Sequence, residues 1–227
     1  MRVQLLDADP ELGRRLDPAE LRAARERLVV PSLFLDRGRW EPDRAEPPPG
    51  HLGFLILDGM IVREIQVGGG KALELLNFGD LLRPWLEDAV SFVDARWTVV
   101  ARVRLAVLDP PSAAALSRWP PMVEELIDRG MRRSRSLAVF AAVQSLRGVH
   151  ERLWILFWHL AEQWGEREAD GTVLVPLDLT HETLAILVGA RRPSVSTAIS
   201  RLTRRGSVER VRGTGWRLRG EPPSALE

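Results

Sequence analysis

Apolar positions change their spacing several times along the chain, and each change marks an element. Residues near Pro18 to Leu28 carry a helical pattern. From about Leu33 to Leu108 the apolar residues come in short runs: Leu33–Leu35, Leu52–Leu57, Met60–Val62, Ala72–Leu76 and Val99–Leu108. Asp58-Gly59, Gly68-Gly69-Gly70 and Gly79-Asp80 punctuate them as turns, and Pro47-Pro48-Pro49-Gly50 marks a stiff exposed loop. Many short strands with glycine-rich turns predict a barrel or jelly roll. After Pro120-Pro121 the spacing becomes helical again. Met122, Val123, Leu126, Ile127, Met131, Leu137, Phe140 and Ala141 form one stripe, with Glu124, Glu125, Asp128, Arg129, Arg132 and Arg133 on the other face. Two placements of that stripe are open, against the chain's own sheet or against a second copy. The second is preferred because the helix lies between a β region and a separate C-terminal helical segment. Gly148 ends this helix. A further helix over 149–164 brings Leu153, Ile155, Leu156, Phe157, Leu160 and Trp164 to the core of a smaller domain.

Residues 179–206 form two short helices joined at Gly189, the tight corner of a helix-turn-helix. Leu184, Ala185, Leu187 and Val188 supply the apolar side of the first. In the second, at about 100° per residue, Val195, Ile199 and Leu202 fall inward with Ala198 beside them. Pro193, Thr197, Ser200 and Arg204 point the other way, flanked by Ser194, Ser196 and Arg201. Proline is tolerated there because the first helical turn has no internal partner for its missing N–H. A face of small hydroxyls and arginines suits a DNA groove, since hydroxyls approach base edges and guanidiniums pair with phosphate or guanine. Just downstream, residues 207–218 form a hairpin turning at Gly213-Thr214-Gly215, the wing of a winged helix.

Charge separates this face from an ordinary solvated helix. Between Gly189 and Arg219 there are nine arginines and one acid, Glu209, a net of +8. The chain totals +1, which leaves −7 for the rest. Such segregation is the footprint of a polyanion partner. Composition narrows the remainder. There is no cysteine, which removes disulfides, iron–sulfur clusters and thiol redox chemistry. The four histidines, His51, His150, His159 and His181, show no metal-ligand spacing, so no metal site is expected. No apolar run approaches the ~20 residues of a membrane span, and the start has no signal-peptide core, so the expectation is a soluble cytoplasmic protein with no membrane partner.

The order β roll, long helix, winged helix resembles the cyclic-AMP-receptor/FNR family of bacterial transcription regulators. Residues 55–62, Leu-Ile-Leu-Asp-Gly-Met-Ile-Val, look like that family's strand–glycine–strand signature. Residues 75–82 look like its L-x-x-G-D turn, and Thr180 to Arg201 look like its T-x-x-x-L-A-x-x-V-G-x-x-R-x-x-V-S reader. The match spans about residues 29 to 219. The resemblance implies an α+β fold divided as 1–118 (cyclic-nucleotide-binding-like β jelly roll), 119–147 (dimerisation helix, from about 122) and 148–227 (winged helix-turn-helix). It implies a homodimer on an inverted-repeat operator in double-stranded DNA, with RNA polymerase as a further expected partner. By resemblance Arg192, Pro193 and Thr197 take base-reading positions, assisted by Ser196 or Ser200. Thr180, Ser194, Arg201, Arg204, Arg205, Arg210 and Arg212 then hold phosphates.

The departures from the family bear on the effector. Cyclic-AMP-binding members follow the Gly-Asp turn with a Gly-Glu pair and then Arg-Ser or Arg-Thr. Here Arg83-Pro84 stands where Gly-Glu would be, and Val93-Asp94 occupies the Arg-Ser place. Proline removes a donor, the ribose-binding carboxylate is missing, and Asp94 repels a phosphate unless Arg96 offsets it. The expectation is therefore a protein without cofactor that does not take cyclic AMP. A remodelled effector pocket would involve Arg83, Trp85, Asp94 and Trp97, with Trp40; core packing of the tryptophans is the simpler alternative. The rival class is a small-molecule-binding or enzymatic β roll with a C-terminal interaction module. The sequence carries no nucleophile–base motif for it, and Gly68-Gly69-Gly70-Lys71 lacks the spacing and hydroxyl of a phosphate loop, so no enzyme is expected.

Overall fold

The computed structural model describes residues 1–43, 45–89 and 93–223. Its elements, in chain order, are β1 (Arg2–Gln4), α1 (Leu5–Ala8), a 3₁₀ turn (Pro10–Gly13), α2 (Pro18–Arg27), β2 (Val29–Leu35), β3 (Gly38–Trp40), β4 (Gly53–Val67), β5 (Gly70–Leu76), β6 (Leu81–Leu82), a second 3₁₀ turn (Pro84–Ala89), β7 (Asp94–Leu108), α3 (Pro110–Leu116), α4 (Pro120–Ser145), α5 (Val149–Trp164), β8 (Glu166–Arg167), β9 (Val173–Val175), α6 (His181–Leu187), α7 (Arg192–Arg204), β10 (Val208–Val211) and β11 (Gly215–Leu218). The chain divides into two compact units, Met1–Arg135 and Ser136–Glu227, with the division inside α4.

The first unit is an antiparallel roll in which β1, β2, β7, β4 and β5 are neighbours in that order, β3 pairs with β7 and β6 with β4. Period-two alternation separates its two cores. Leu55 and Leu57 join Leu5, Leu6, Leu12, Leu28, Leu108, Leu116, Met122 and Leu126, the cluster that holds the helices against the sheet. Ile56 turns the other way and meets Ile61, Leu76, Leu82, Trp97, Val103 and Leu105 inside the roll. α2 begins with Asp17 as a full capping box: its carboxylate accepts from the Ala19 and Glu20 amides, and Glu20 accepts in return from the Asp17 amide.

Asp58-Gly59 is not a turn between two strands. β4 runs through it without a break, and the pairing with β7 slips at Ile56/Asp58, Asp58/Met60 and Met60/Ile61. Gly59 has φ 84°, and a Cβ there would lie 2.1 Å from the Arg102 carbonyl oxygen. A bulge of this kind absorbs extra residues and sharpens the local twist. Gly68-Gly69 does close a two-residue hairpin, with Val67 opposite Gly70.

The second unit packs α5, α6 and α7 with a small sheet ordered β10-β11-β9-β8. Leu153, Leu156, Phe157, Trp158 and Leu160 of α5 are buried, as are Leu184, Ala185, Leu187 and Val188. Among the described residues no helix is long and apolar enough to cross a membrane.

Candidate nucleic-acid interface

The turn between α6 and α7 is held from three sides. Thr180 caps α6 by accepting from the Thr183 amide at 3.1 Å. Gly189 takes φ 59°, and a Cβ on it would come within 3.2 Å of the Gln144 side chain. The carbonyls left over at the end of α6 are satisfied from other helices. Gln144 Nε2 donates to Leu187 O at 3.1 Å, while Arg152 Nη1 donates to Val188 O at 3.1 Å and Gly189 O at 3.2 Å. Nothing in the pattern of the sequence marks Gln144 or Arg152 for this task; only the pairing of buried polar groups explains them.

α7 meets the helical expectation residue by residue. Val195, Ala198, Ile199 and Leu202 are buried, while Arg192, Pro193, Ser194, Thr197, Ser200, Arg201 and Arg204 are exposed. Ser196 is half-buried, its Oγ 2.9 Å from His181 Nδ1. The His181 ring lies 6.1 Å from Trp216 at an interplanar angle of 29°. Burial, then the charges of Arg210 and Arg192, hold the His181 pKa below its ordinary value, so this imidazole favours the neutral form. No side chain caps the N-terminus of α7, which leaves its first amides for an anion.

The arginines of this segment divide into two groups. Arg217 binds Glu168 through two bonds of 2.6 and 3.2 Å, and Arg219 meets Glu209 at 3.4 Å. Arg210, expected on a phosphate, is engaged within the domain. It pairs with Asp178, donates to Leu179 O at 2.7 Å and lies 4.6 Å from the Trp216 ring centre. Among the described residues no carboxylate pairs with Arg191, Arg192, Arg201, Arg204, Arg205 or Arg212. The arginines without a carboxylate partner among the described residues thus lie at both ends of α7 and on the wing, around the hydroxyl face. Thr180 is exposed and uses its hydroxyl oxygen as the acceptor of the cap, and Ser194 is exposed at the start of α7.

The first unit contains a cavity of about 380 Å³ lined by Ile65, Leu82, Leu86, Trp97 and three arginines, Arg63, Arg83 and Arg133. Of the four residues expected in an effector pocket, Arg83 and Trp97 line it. Trp85 and Asp94 do not. Trp85 is half-buried and packs on His51 at 5.1 Å and on Phe54 at 6.1 Å, and Asp94 is exposed and paired with Arg96 at 3.0 Å. Trp40 meets Trp97 edge to face at 5.5 Å. Sequence reasoning missed buried Glu74, which pairs with both Arg63 and Arg133 at the cavity wall. Among the described residues no group of three or more histidines, cysteines or carboxylates is placed to hold a metal ion.

Comparison with known proteins locates this architecture. Residues 151–222 match the family described as the Crp-like helix-turn-helix domain. No curated protein sequence matches the chain. Among solved structures, a cyclic nucleotide-binding domain containing protein from Listeria monocytogenes EGD-e superposes with a TM-score of 0.67 at 16% identity, covering 92% of this chain and 96% of that one. A CooA mutant from Carboxydothermus hydrogenoformans gives 0.62 at 14% identity over 93% and 90% of the two chains. FixK2 from Bradyrhizobium japonicum gives 0.61 at 14% identity over 88% and 100%. Residues 151–222 are thus similar to the Crp-like helix-turn-helix domain, and the chain as a whole shares its fold with these three solved structures.

Proposed function

We propose that the protein is a sequence-specific, DNA-binding regulator of transcription that acts in the cytoplasm as a homodimer and does not respond to cyclic AMP. The observation that carries this reading is the exposed face of α7, where small hydroxyls are bordered by arginines that no carboxylate neutralises among the described residues. Such a face has no use for its charge within the fold, and a duplex supplies the missing anions.

The dimer rests on a second observation. α4 exposes Ile127 at 59% and Met131 at 53%, one turn apart, with Leu137 exposed farther along. Apolar side chains at this spacing form the seam of paired helices. Two copies related by a two-fold axis would present α7 to successive major-groove faces about 34–36 Å apart, which calls for an inverted-repeat operator. The reading against cyclic AMP is supported by Arg83-Pro84: Pro84 offers no backbone donor, is buried and opens a 3₁₀ turn. Asp94 is tied to Arg96. The effector, if the cavity takes one, is then a different molecule.

In vitro selection of bound duplexes from a random library tests the reading. The expected product is a palindrome with half-sites one helical turn apart, bound by a species sedimenting as a dimer. Enrichment of no sequence at all, or binding by a lone subunit to a single half-site, overturns it.

A further inference from the structure

The hydroxyls on the outer face of α7 are already committed in one direction. Thr197 Oγ1 lies 3.1 Å from Pro193 O, and Ser200 Oγ lies 2.9 Å from Ser196 O. A carbonyl oxygen only accepts, so each hydroxyl proton points back along the helix. What remains toward solvent is oxygen lone pairs. Both residues are exposed, and Pro193 has no N–H to offer. Ser196, between them, is held by His181 at 2.9 Å. The middle of the face is therefore an edge of acceptors, and the donors sit at its ends, on Arg192 and on Arg201 and Arg204.

Resting on the DNA-binding reading above, we infer that Thr197 and Ser200 recognise exocyclic amino groups, adenine N6 or cytosine N4, in the major groove. Accepting a bond from an amino group adds one hydrogen bond and removes none. Donating to guanine O6 or thymine O4 requires the hydroxyl to turn and give up the bond to the helix carbonyl. Facing a keto oxygen without turning sets two acceptors against each other. The amino contact wins by about one net hydrogen bond, which corresponds to roughly fivefold in affinity per contact. Arg192, a donor with no carboxylate partner among the described residues, takes the complementary role against guanine O6 and N7.

Every base pair carries an amino donor and keto or ring-nitrogen acceptors in the major groove, so the letters of a selected operator do not tell the two modes apart. Deletion of single functional groups does. The full-length protein and its Thr197→Val and Ser200→Ala variants are titrated against the selected operator. The same titrations use operators in which one adenine is replaced by purine or one cytosine by 2-pyrimidinone, each lacking its exocyclic amino group. A matching series removes one acceptor at a time, with 2-aminopurine for guanine and 5-methyl-2-pyrimidinone for thymine. The expected result is a position in each half-site where loss of the amino group weakens the wild-type protein about fivefold and leaves Thr197→Val unaffected, and a second position behaving likewise with Ser200→Ala. Coupling of either variant to a deleted acceptor overturns the inference, as does equal loss by wild type and variants at every amino position. Failure of the selection to yield any operator would instead defeat the DNA-binding reading itself, and this inference with it.

Discussion

At the scale of single residues, the register of the roll lines up a row of side chains across four strands. Trp40 lies opposite Trp97, Trp97 opposite Arg63, and Arg63 opposite Glu74, so one inward line runs from β3 to β5. The Arg63 guanidinium sits 5.4 Å from the centre of the Trp97 ring, and Arg133 of α4 closes the row on Glu74 while donating to Leu81 O at 3.2 Å. The carboxylate is nearly sequestered, with 4% of its side chain exposed, and the Arg63 and Arg133 side chains keep 23% and 22% of theirs. Removing the carboxylate charge takes away the anion that both guanidiniums share, and breaking a buried pair is costly even where the intact pair adds little. Glu74→Gln, close in shape, is expected to lower the unfolding free energy by about 2–3 kcal/mol in urea denaturation. A loss under about 0.5 kcal/mol would mean that solvent screens the row. This row could not be read from the chain, because Glu74 sits in an ordinary apolar run and its partners lie 11 and 59 positions away. The inward and outward faces of α7 were legible, since they follow from helical spacing alone. Arg210 was not: its role depends on Asp178 and Trp216, which only the folded hairpin brings to it.

At the scale of elements, local signals succeed where an element ends and mislead where it bends. Asp58-Gly59 has the composition of a turn, yet the strand continues on both sides because Leu55 and Ile61 each find a buried place. The glycine is needed for a positive φ inside a bulge, a requirement that reads like a turn in one dimension. Gly189 does close its helix, just beyond the Val188 cap of α6, whereas Gly148 caps the start of α5, three residues after α4 has ended at Ser145. α4 shows a related division. Helical spacing gives its apolar stripe as one surface, and the structure splits it: Met122, Leu126 and Phe140 are buried, while Ile127, Met131 and Leu137 are exposed. Glu125 and Arg129 on its polar side are turned inward, with Arg129 bound to Asp9 at 2.5 and 3.0 Å and to Glu125 at 3.1 Å. The split separates folding from assembly. Ile127→Glu with Met131→Glu changes only exposed positions, so the monomer should lose no more than about 0.5 kcal/mol of stability. Placed in a seam between two copies, four carboxylates would repel and desolvate. The expected outcome in sedimentation velocity is a shift from dimer to monomer with an unchanged circular dichroism spectrum. A variant that still sediments as a dimer would move the seam off this face of α4.

At the scale of the whole molecule, charge is sorted by location: a near-neutral chain concentrates its excess of arginine in the last quarter and its excess of acid elsewhere. The histidines respond to a different force. Burial lowers the pKa of His51, His150, His159 and His181 alike; the charges of Arg201 and Arg205 add to this at His150, and Arg83 adds to it at His51. His159 accepts or shares bonds with Ser136 at 2.9 Å and Gln163 at 2.7 Å and meets Phe140 edge to face, surroundings built for a neutral ring. A histidine with a lowered folded pKa binds its proton more readily once unfolded. Its contribution to stability is complete above the unfolded value of about 6.5 and is lost as pH falls through 6.5 toward the folded pKa. Asp80, whose carboxyl burial pushes up, acts in the opposite sense but lies with His51 in the first unit, which leaves His150, His159 and His181 in the second. The unfolding free energy of the second unit should therefore fall as pH is lowered from 7.5 to 5.5, followed by urea titration at each pH. His159→Gln keeps a polar side chain at the site and removes the titration, so its profile should be shallower over the same window. Parallel profiles for the two proteins would show that the imidazole takes up its proton in place without cost to the fold.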